Sequence, residues 1–448
     1  MSDPPGGTPR DETLPDQTEA RPGRLQRILR IFGPGLITGA ADDDPSGIAT
    51  YSQTGAQFGF AQLWTALYQL PLLYAVQEAC ARIGAVTGRG LAGVIKRDYP
   101  RPILIAVVLL VVVANTINIG ADIGAVAAAA QLVVPAPFWF FAIATAALVI
   151  GLEVFVSYRN YARFLKWLAL ALLAYPATAL IVDQPWGAIL KATLLPHIEF
   201  SFAFLFIITG VFGTSISPYM FFWQASEEVE EEHELHLPQG RGDRPRLPPH
   251  FIRNMRIDTA AGMIASELAQ WFIIITTASV LFAHGVTTIN SAADAARALE
   301  PLVRSFPNSG QIARDIFAIG VIGLGLLGIP VLAGSAAYAL SEALDWNEGL
   351  SRRVTQAPGF YGVIMAATLA GLALNFIGID PIRALVFTAV FNGLAAAPLL
   401  FLIARINGDA RILGARRGGA LSRAMVWLTC AIMSLASLAL FYTMLAPH

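Results

Sequence analysis

Two apolar segments, each with a polar residue followed by proline near its middle, constrain this chain more than any other feature. The first segment breaks at Asp44-Pro45 and the second at Ser217-Pro218. Proline lacks a backbone donor and disfavours helix in the residue before it, so backbone carbonyls around each break lose their helical partners. Within hydrocarbon such carbonyls are tolerated only where they line a protein cavity or bind something. Two broken spans at matching places in two halves of a membrane protein therefore indicate the substrate site of a transporter.

The composition is that of a protein that crosses the membrane many times. Of the 448 residues, 55% are hydrophobic and only 14% are charged, and the mean hydropathy is +0.59. Because the hydrocarbon layer is roughly 30 Å thick, each span needs a long apolar segment, and such segments recur along most of the chain. The broken spans are the first and the sixth, which predicts an all-α fold with a 5+5 inverted repeat and an eleventh helix. The expected spans are centred near Ala40, Leu72, Ala114, Ala146, Leu172, Gly213, Phe272, Gly323, Ala367, Val390 and Ile432.

The distribution of basic residues predicts the orientation of these spans. If the N-terminus lies inside, nearly all of the 30 Lys and Arg residues fall on inner segments, and the outer segments hold Lys191, Arg297, Arg304 and Arg314. Positively charged loops stay on the cytoplasmic side, so we expect a multi-pass protein of the inner (plasma) membrane with an outer C-terminus. Residues 1–25 have little to bury and are expected to form a disordered cytoplasmic tail, which leaves 26–448 as one transmembrane domain.

A run of three acids, Asp42, Asp43 and Asp44, interrupts the first span. An ionised carboxylate deep in a bilayer is costly, so acids there indicate function. Successive positions cannot all face one site. We expect Asp44 to bind the substrate, because its carboxylate adjoins the unwound backbone at Ser46 and Gly47. The alternative for Asp42 and Asp43 is a solvated position at the membrane interface.

The break in the sixth span offers the hydroxyl groups of Thr214 and Ser217. A carboxylate, hydroxyls and freed carbonyls together form an all-oxygen environment, which suits hard divalent cations. No Lys or Arg is predicted near either break, and this argues against an anionic substrate. The alternative for each hydroxyl is helix–helix packing, in which small residues are common within membranes.

Other polar residues within the spans allow two interpretations each. Asp122 of the third span, with Asn115 and Asn118 nearby, either lines the permeation path or is held in a hydrogen-bond network. Glu78 and Arg82 are four residues apart on a helix, which favours a structural ion pair.

Three further features lie outside the two breaks. Glu153 and Glu267 are acids in or near spans without an obvious partner. The run EEVEEEHELH after the sixth span is expected to be a solvated charged surface and not a site that recruits cations. The segment ADAARALEPLVRSF has helical spacing and is expected to lie along the outer membrane interface.

The stretch GPGLITGAADDDPSGIATYSQTGAQFGF, followed by QEACARIGAVTGRGLAGVI, resembles the Nramp family of divalent-metal transporters. The similarity extends to DAARALEPL, GSAAYALSEAL and FNGLAAAPL and covers most of the chain beyond the tail. The resemblance implies a LeuT-type fold of ten core helices that works by alternating access. It also implies a transporter and not an enzyme.

The chain departs from the family pattern at the implied metal site. Where the family has the motif DPGN, this chain has Gly47 in place of the metal-binding asparagine. In the sixth span, Thr214 stands where the family presents an alanine carbonyl, and Ser217 stands where it has a methionine. Losing the thioether removes the soft ligand that favours transition metals, and losing the asparagine enlarges the cavity. A roomier oxygen site suits Mg²⁺, which gives up its waters reluctantly.

A second set of departures concerns proton coupling. Two family histidines after the sixth-span break are here Tyr219 and Gln224, and a third-span acid pair is here Asp122 and Ala125. Fewer groups can then accept protons in the useful pH range. The pattern resembles the magnesium-transporting branch related to Nramp.

We therefore expect a membrane transporter of divalent cations, Mg²⁺ or Mn²⁺, that does not move protons with its cargo. The expected ligands are Asp44, Gly47, Thr214 and Ser217, with Asp43, Ser46, Tyr219, Gln224 and Asp122 behind them or along the pathway. The cation is the cargo, and no cofactor, nucleic acid or protein partner is implied. The alternatives are a proton-coupled Mn²⁺ and Fe²⁺ transporter, and a Na⁺-coupled symporter of a small organic solute. An intramembrane aspartyl protease is disfavoured because the glycine-aspartate signature is missing.

Overall fold

A computed structural model describes residues 33–156, 169–238, 245–248 and 250–445. The expected tail, 1–25, lies outside these residues, as do 157–168 at the start of the fifth span. In the described residues the long elements are all helices, and seven stretches are long and apolar enough to cross a membrane. They are Arg101–Val133, Phe138–Phe155, Phe202–Glu234, Phe251–His284, Ser309–Leu344, Pro381–Gly408 and Ala420–Leu445.

The other four expected spans also fall on helical structure. They are the first span with its helices Pro34–Asp42 and Pro45–Phe58, the second with Trp64–Thr87, the described part of the fifth with Ala174–Ile181, and the ninth with Pro358–Leu374. The all-α prediction is confirmed.

The first span is broken where the sequence predicts. Its first helix, Pro34–Asp42, ends before Asp44, and its second helix, Pro45–Phe58, begins directly after it. We call the first the inner helix and the second the outer helix, and we use inner and outer throughout for the orientation that the basic residues predict. Asp44 is the N-cap of the outer helix and accepts a hydrogen bond from the backbone N–H of Gly47 at 2.9 Å. Proline is well suited to the first helical position, because the N–H it lacks would have no partner there. The break is therefore encoded locally, by an aspartate cap and the proline after it.

The sixth span repeats this design. Its outer helix, Phe202–Ser215, ends before Ile216, and its inner helix, Pro218–Glu234, begins after Ser217. Ser217 has the extended backbone of an N-cap, but its side chain makes no capping hydrogen bond. Its hydroxyl is therefore not used by the helix that it precedes.

The inner helix of the first span packs closely on the seventh span. Side chains at Gly35 or Gly39 would collide with the backbone of the seventh span around Thr259 and Gly262. Asp258 accepts hydrogen bonds from backbone N–H groups at the N-terminus of the inner helix, with Gly35 at 2.6 Å. Close backbone approach through glycine is a common way for membrane helices to associate. This contact places the end of the inner helix, with Asp42, against the seventh span.

The segment between the seventh and eighth spans is helical at Ala292–Ala296 and Glu300–Val303, and its Ala298 and Leu299 are buried in protein. Its place along the outer membrane interface stays a prediction. The segment is held to the first span, because the backbone N–H of Ile289 donates to the side chain of Gln53 at 3.0 Å. Protein covers the apolar face of this segment at the outer ends of the spans.

One sequence expectation is corrected, because the acidic run after the sixth-span break is not the solvated surface that we expected. Its first half continues the helix Pro218–Glu234, and Glu228 and Glu232 are only 1% and 4% exposed. Solvent reaches the end of the run, from His233 onward. The helix packs against the second and eighth spans, so every third or fourth residue of the run is turned inward.

Candidate cation-binding site

The two breaks meet in the interior of the protein. The hydroxyl oxygens of Ser46 and Thr214 lie 3.3 Å apart, although 168 residues separate them in the chain. A Cβ on Gly47 would lie 3.5 Å from the same Thr214 oxygen. Asp44 and Ser217 are fully buried, and Thr214 is 1% exposed. The structure thus brings Asp44, Gly47 and Thr214 together and buries Ser217 at the same sixth-span break, in an arrangement closed to solvent.

The Asp44 carboxylate is held on both oxygens. Its Oδ1 accepts from the Ser46 hydroxyl at 2.5 Å and from the Gly47 N–H, whereas its Oδ2 faces the Asn118 amide at 3.4 Å. The first two bonds come from its own helix cap and fix the side chain at the break. The bond to Asn118 is long and weak by the usual geometric criteria. Oδ2 is therefore the oxygen that is free to bind a ligand.

A second carboxylate, Asp122, lies beside Asp44. A Cβ on Gly328 of the eighth span would lie 3.1 Å from the Cβ of Asp44 and 3.9 Å from Oδ2 of Asp122. Both oxygens of Asp122 are buried without a hydrogen-bond partner in the described structure. The side chains of Asn115 and Asn118 donate elsewhere, to the backbone of the eighth span and to Asp44. The hydrogen-bond network considered for Asp122 is thus not formed.

Ser217 offers a second free oxygen. Its hydroxyl is buried and has no hydrogen-bond partner among the described residues. The neighbouring Ser215 is used differently, because its hydroxyl is 2.8 Å from that of Tyr51 and ties the sixth span to the first. Sequence reasoning missed Tyr51. The available signal was that Tyr51 is a polar residue four positions after Gly47.

Tyr219 and Gln224, which are expected from the sequence to lie behind the ligands or along the pathway, differ in their partners. The Tyr219 hydroxyl donates to the carbonyl of Ala41 at 3.1 Å and so satisfies an acceptor at the end of the inner helix of the first span. Gln224 donates to Glu228 at 2.9 Å, toward the inner end of the sixth span. Tyr219 therefore belongs to the neighbourhood of the breaks, whereas Gln224 does not.

Asp42 and Asp43 turn away from Thr214, toward the seventh span. The Ser266 hydroxyl donates to Asp42 and lies 3.5 Å from Oδ1 of Asp43. Both acids are buried, at 0% and 3% exposure, so the solvated alternative for them is wrong. Of the three successive acids, Asp44 alone joins the group formed with Thr214.

The chemistry of the site is that of neutral and anionic oxygen. The charge of Asp44 acts on both Asp122 and Tyr219. Among the described residues, no group of three His, Cys, Asp or Glu side chains is arranged to hold a metal ion directly. A cation here would be bound by one or two carboxylates and several hydroxyl or carbonyl oxygens, with water completing its shell. That is the kind of coordination that Mg²⁺ accepts.

Comparisons with known proteins agree on one family. The sequence profile of the Nramp family, described as natural resistance-associated macrophage protein-like, matches residues 35–443. The divalent metal cation transporter MntH of Aeromonas hydrophila is 24% identical over 427 residues, 94% of this chain and 97% of its own. The crystal structure of the Eremococcus coleocola manganese transporter superposes with a TM-score of 0.72 at 15% identity, over 96% of this chain and 90% of that one. The fold is also similar to that of Mhp1, described as a nucleobase-cation-symport-1 family transporter, with a TM-score of 0.57 at 13% identity over 92% of this chain and 91% of that one.

Proposed function

Since the chain belongs to the Nramp family, we propose that it carries divalent metal cations, Mg²⁺ and Mn²⁺, across the membrane by alternating access. Family membership makes it a transporter and not an enzyme. The single observation that carries the proposal is the meeting of the two broken helices, with Ser46 and Thr214 hydroxyls 3.3 Å apart beside the buried Asp44 carboxylate. A buried acid in a break of this kind is suited to binding a cation.

The preference for a hard cation follows from what lines the breaks. Asp44, Thr214 and Ser217 contribute only oxygen, and the Ser217 hydroxyl has no other partner in the described structure. Oxygen ligands suit Mg²⁺ and Mn²⁺, whereas softer ions gain from sulfur. The relatives named for divalent metal and manganese transport have cargo of the same class.

Gly47 is the second basis for selectivity. Its absent side chain leaves space between the Thr214 hydroxyl and the Asp42 carbonyl, which a Cβ would approach to 3.5 and 3.2 Å. An ion that keeps several waters needs such space more than one that sheds them. Mg²⁺ holds its waters more firmly than other common divalent cations in proteins.

We propose that transport is not coupled to protons. Tyr219 donates to a backbone carbonyl, and Ala125 has no proton to exchange. Uptake could be driven by voltage alone, because two charges that cross the membrane gain roughly 4.6 kcal/mol per 100 mV. We place the protein in the plasma membrane with its N-terminus inside, as the basic loops predict.

The proposal is tested by cation flux into proteoliposomes that contain a Mg²⁺ indicator and a pH indicator. We expect Mg²⁺ and Mn²⁺ influx that rises with an inside-negative voltage and leaves the internal pH unchanged. Proton influx in fixed proportion to metal influx would establish the proton-coupled alternative. Robust Fe²⁺ flux without Mg²⁺ flux would overturn the selectivity. Inhibition by amino acids in Na⁺ medium, without inhibition by metals, would establish the organic-solute alternative.

A further inference from the structure

A second group of buried polar side chains lies on the inner side of the Asp44 site, between the first and seventh spans. Asp42 and Asp43 come from the end of the inner helix of the first span, and Ser266 and Glu267 come from the seventh span. None of the four is more than 3% exposed. The Ser266 hydroxyl bridges the pair, because it donates to Asp42 and lies 3.5 Å from Asp43. We call these four residues the inner acidic group.

Several carboxylate oxygens of the inner acidic group have no hydrogen-bond partner among the described residues. Both carboxylate oxygens of Glu267 and Oδ1 of Asp42 are buried without a partner in the described parts of the chain. The charged groups that act on Glu267 are Asp42 and Asp43, and no basic residue is among them. A buried carboxyl group is stable when it is paired, protonated or bound to a cation, because the interior cannot solvate its charge. The unpartnered Glu267, beside Asp42 and Asp43, is thus in a position to bind a positive ligand.

The inner acidic group makes different hydrogen bonds from the site at the breaks, although the charge of Asp44 acts on both Asp42 and Asp43. The Asp44 carboxylate is bound by Ser46, Gly47 and Asn118, whereas Asp42 and Asp43 are bound by Ser266 on another span. The carbonyl of Ala41, the residue before Asp42, accepts a hydrogen bond from the Tyr219 hydroxyl. This bond holds the end of the inner helix against the sixth span.

Further acids continue from the inner acidic group toward the inner face. A Cβ on Gly33, at the start of the first span, would lie 3.5 Å from a Glu231 oxygen and 3.6 Å from an Asp258 oxygen. Glu228, on the same helix as Glu231, is 1% exposed with one free oxygen. Carboxylates thus lie at both ends of the inner helix of the first span, with Asp42 at one end and Asp258 and Glu231 at the other.

The geometry points to a second cation-binding site, formed by Asp42, Asp43, Ser266 and Glu267, that takes a hydrated divalent cation after it leaves Asp44. This inference rests on the proposed function, because it assumes that the cargo is a divalent cation. The carboxylates are not arranged to hold a bare ion, so the contacts run through the water shell that such an ion retains. The second site shortens the step from the midplane to the inner solution and receives the cation when the breaks release it.

The site is tested by counting bound Mn²⁺ with electron paramagnetic resonance on purified full-length protein. We expect two equivalents of Mn²⁺ on the unaltered chain, one on Glu267→Gln and one on Asp44→Ala. In each variant the affinity of the altered site should fall at least about tenfold, which removes one equivalent from the count. Glu153→Gln is the matched control, because Glu153 is also a buried glutamate with two unpartnered oxygens, on the fourth span. It should bind two equivalents. Thermal unfolding in detergent verifies that each variant is folded.

Transport separates this inference from the proposed function. Glu267→Gln should lower the maximal Mg²⁺ flux several-fold with little change in KM, because it slows release and leaves the first site intact. One equivalent on both the unaltered chain and Glu267→Gln, with equal flux, would overturn the second site and leave the proposed function standing. Two equivalents on Glu267→Gln would overturn it as well. No Mn²⁺ or Mg²⁺ binding to the unaltered chain would instead defeat the proposed function.

Discussion

The hydroxyl of Ser46 lies 3.3 Å from the hydroxyl of Thr214, which joins two helix breaks that are 168 residues apart in the chain. The contact sits next to the Asp44 carboxylate, whose Oδ1 accepts from the same Ser46 hydroxyl. A buried acid, two hydroxyls and unwound backbone are thereby held together by residues from both halves of the fold. The relationship is the structural basis of the proposed transport, because a movement of one half against the other would open and close this contact.

Replacing Ser217 by methionine should shift the selectivity of transport toward softer metals. The buried hydroxyl has no partner to lose in the described structure, and a thioether at this position adds a soft ligand. We expect Ser217→Met to raise the ratio of Cd²⁺ to Mg²⁺ uptake about tenfold, equivalent to about 1.4 kcal/mol. Parallel uptake assays measure this ratio. Ser217→Ala is the control, because it removes the hydroxyl without adding sulfur, and an equal shift in both variants would refute the role of the ligand.

Adding a methyl group at Gly47 should weaken Mg²⁺ transport more than Mn²⁺ transport. The new Cβ would lie 3.2 Å from the Asp42 carbonyl and 3.3 Å from the Tyr51 ring, so it would fill the space for the ion's waters. We expect the KM of Gly47→Ala for Mg²⁺ to rise about tenfold, with a smaller rise for Mn²⁺. Gly362→Ala is the matched control, because a Cβ there meets nothing within 4 Å. Equal changes for both metals would show that the effect is not one of hydration.

Removing the charge of Glu78 should destabilise the protein strongly. Glu78 pairs with the buried Arg82, as its spacing in the sequence predicts, and also with Arg256 at 2.8 Å. Without Glu78, Arg82 at 2% exposure is left as an uncompensated charge, which costs about 3–5 kcal/mol. We expect a large fall in the melting temperature of Glu78→Gln in detergent. Arg256→Gln removes a half-exposed partner and should cost less than about 1 kcal/mol, and the reverse order would refute this assignment.

Glu348, in the loop between the eighth and ninth spans, should make stability depend on pH. Burial, reinforced by the charges of Glu342 and Glu230, raises the pKa of Glu348 above its ordinary value of 4.5. A raised pKa means that the folded state favours the protonated form of Glu348. The contribution of Glu348 to the free energy of unfolding is therefore fully present below pH 4.5 and is lost as the pH rises. Glu348→Gln should therefore raise the melting temperature at pH 8 and leave it nearly unchanged at pH 4.5. The exposed Glu199→Gln should show no such difference.

Much of the site could be predicted from the sequence because its causes are local. An aspartate before proline both caps a helix and breaks a span. The position of the first break and the role of Asp44 as its N-cap can therefore be predicted from neighbouring residues. The pairing of Glu78 with Arg82 follows from helical spacing in the same way. The comparison of the two breaks then required only the count of spans between them.

What the sequence could not predict depends on which spans are neighbours. Nothing local shows that Ser266 would meet Asp42, because that contact depends on how glycines of the first span pack on the seventh. The burial of Glu228 was missed for the same reason, since a glutamate-rich helix end is usually solvated unless other spans cover it. The contact of Ser266 with Asp42 and the burial of Glu228 both depend on tertiary packing, which leaves no periodic pattern in the sequence.

The most direct test of the central claim is a calorimetric titration of Mg²⁺, Mn²⁺ and Ca²⁺ into the unaltered protein and into Asp44→Ala. If the Asp44 carboxylate and the sixth-span break form the primary site, the unaltered protein binds Mg²⁺ and Mn²⁺. In that case the variant loses the tighter binding event for both ions while its melting temperature stays close to that of the unaltered chain. Unchanged Mg²⁺ and Mn²⁺ affinity in a folded Asp44→Ala variant would contradict the account.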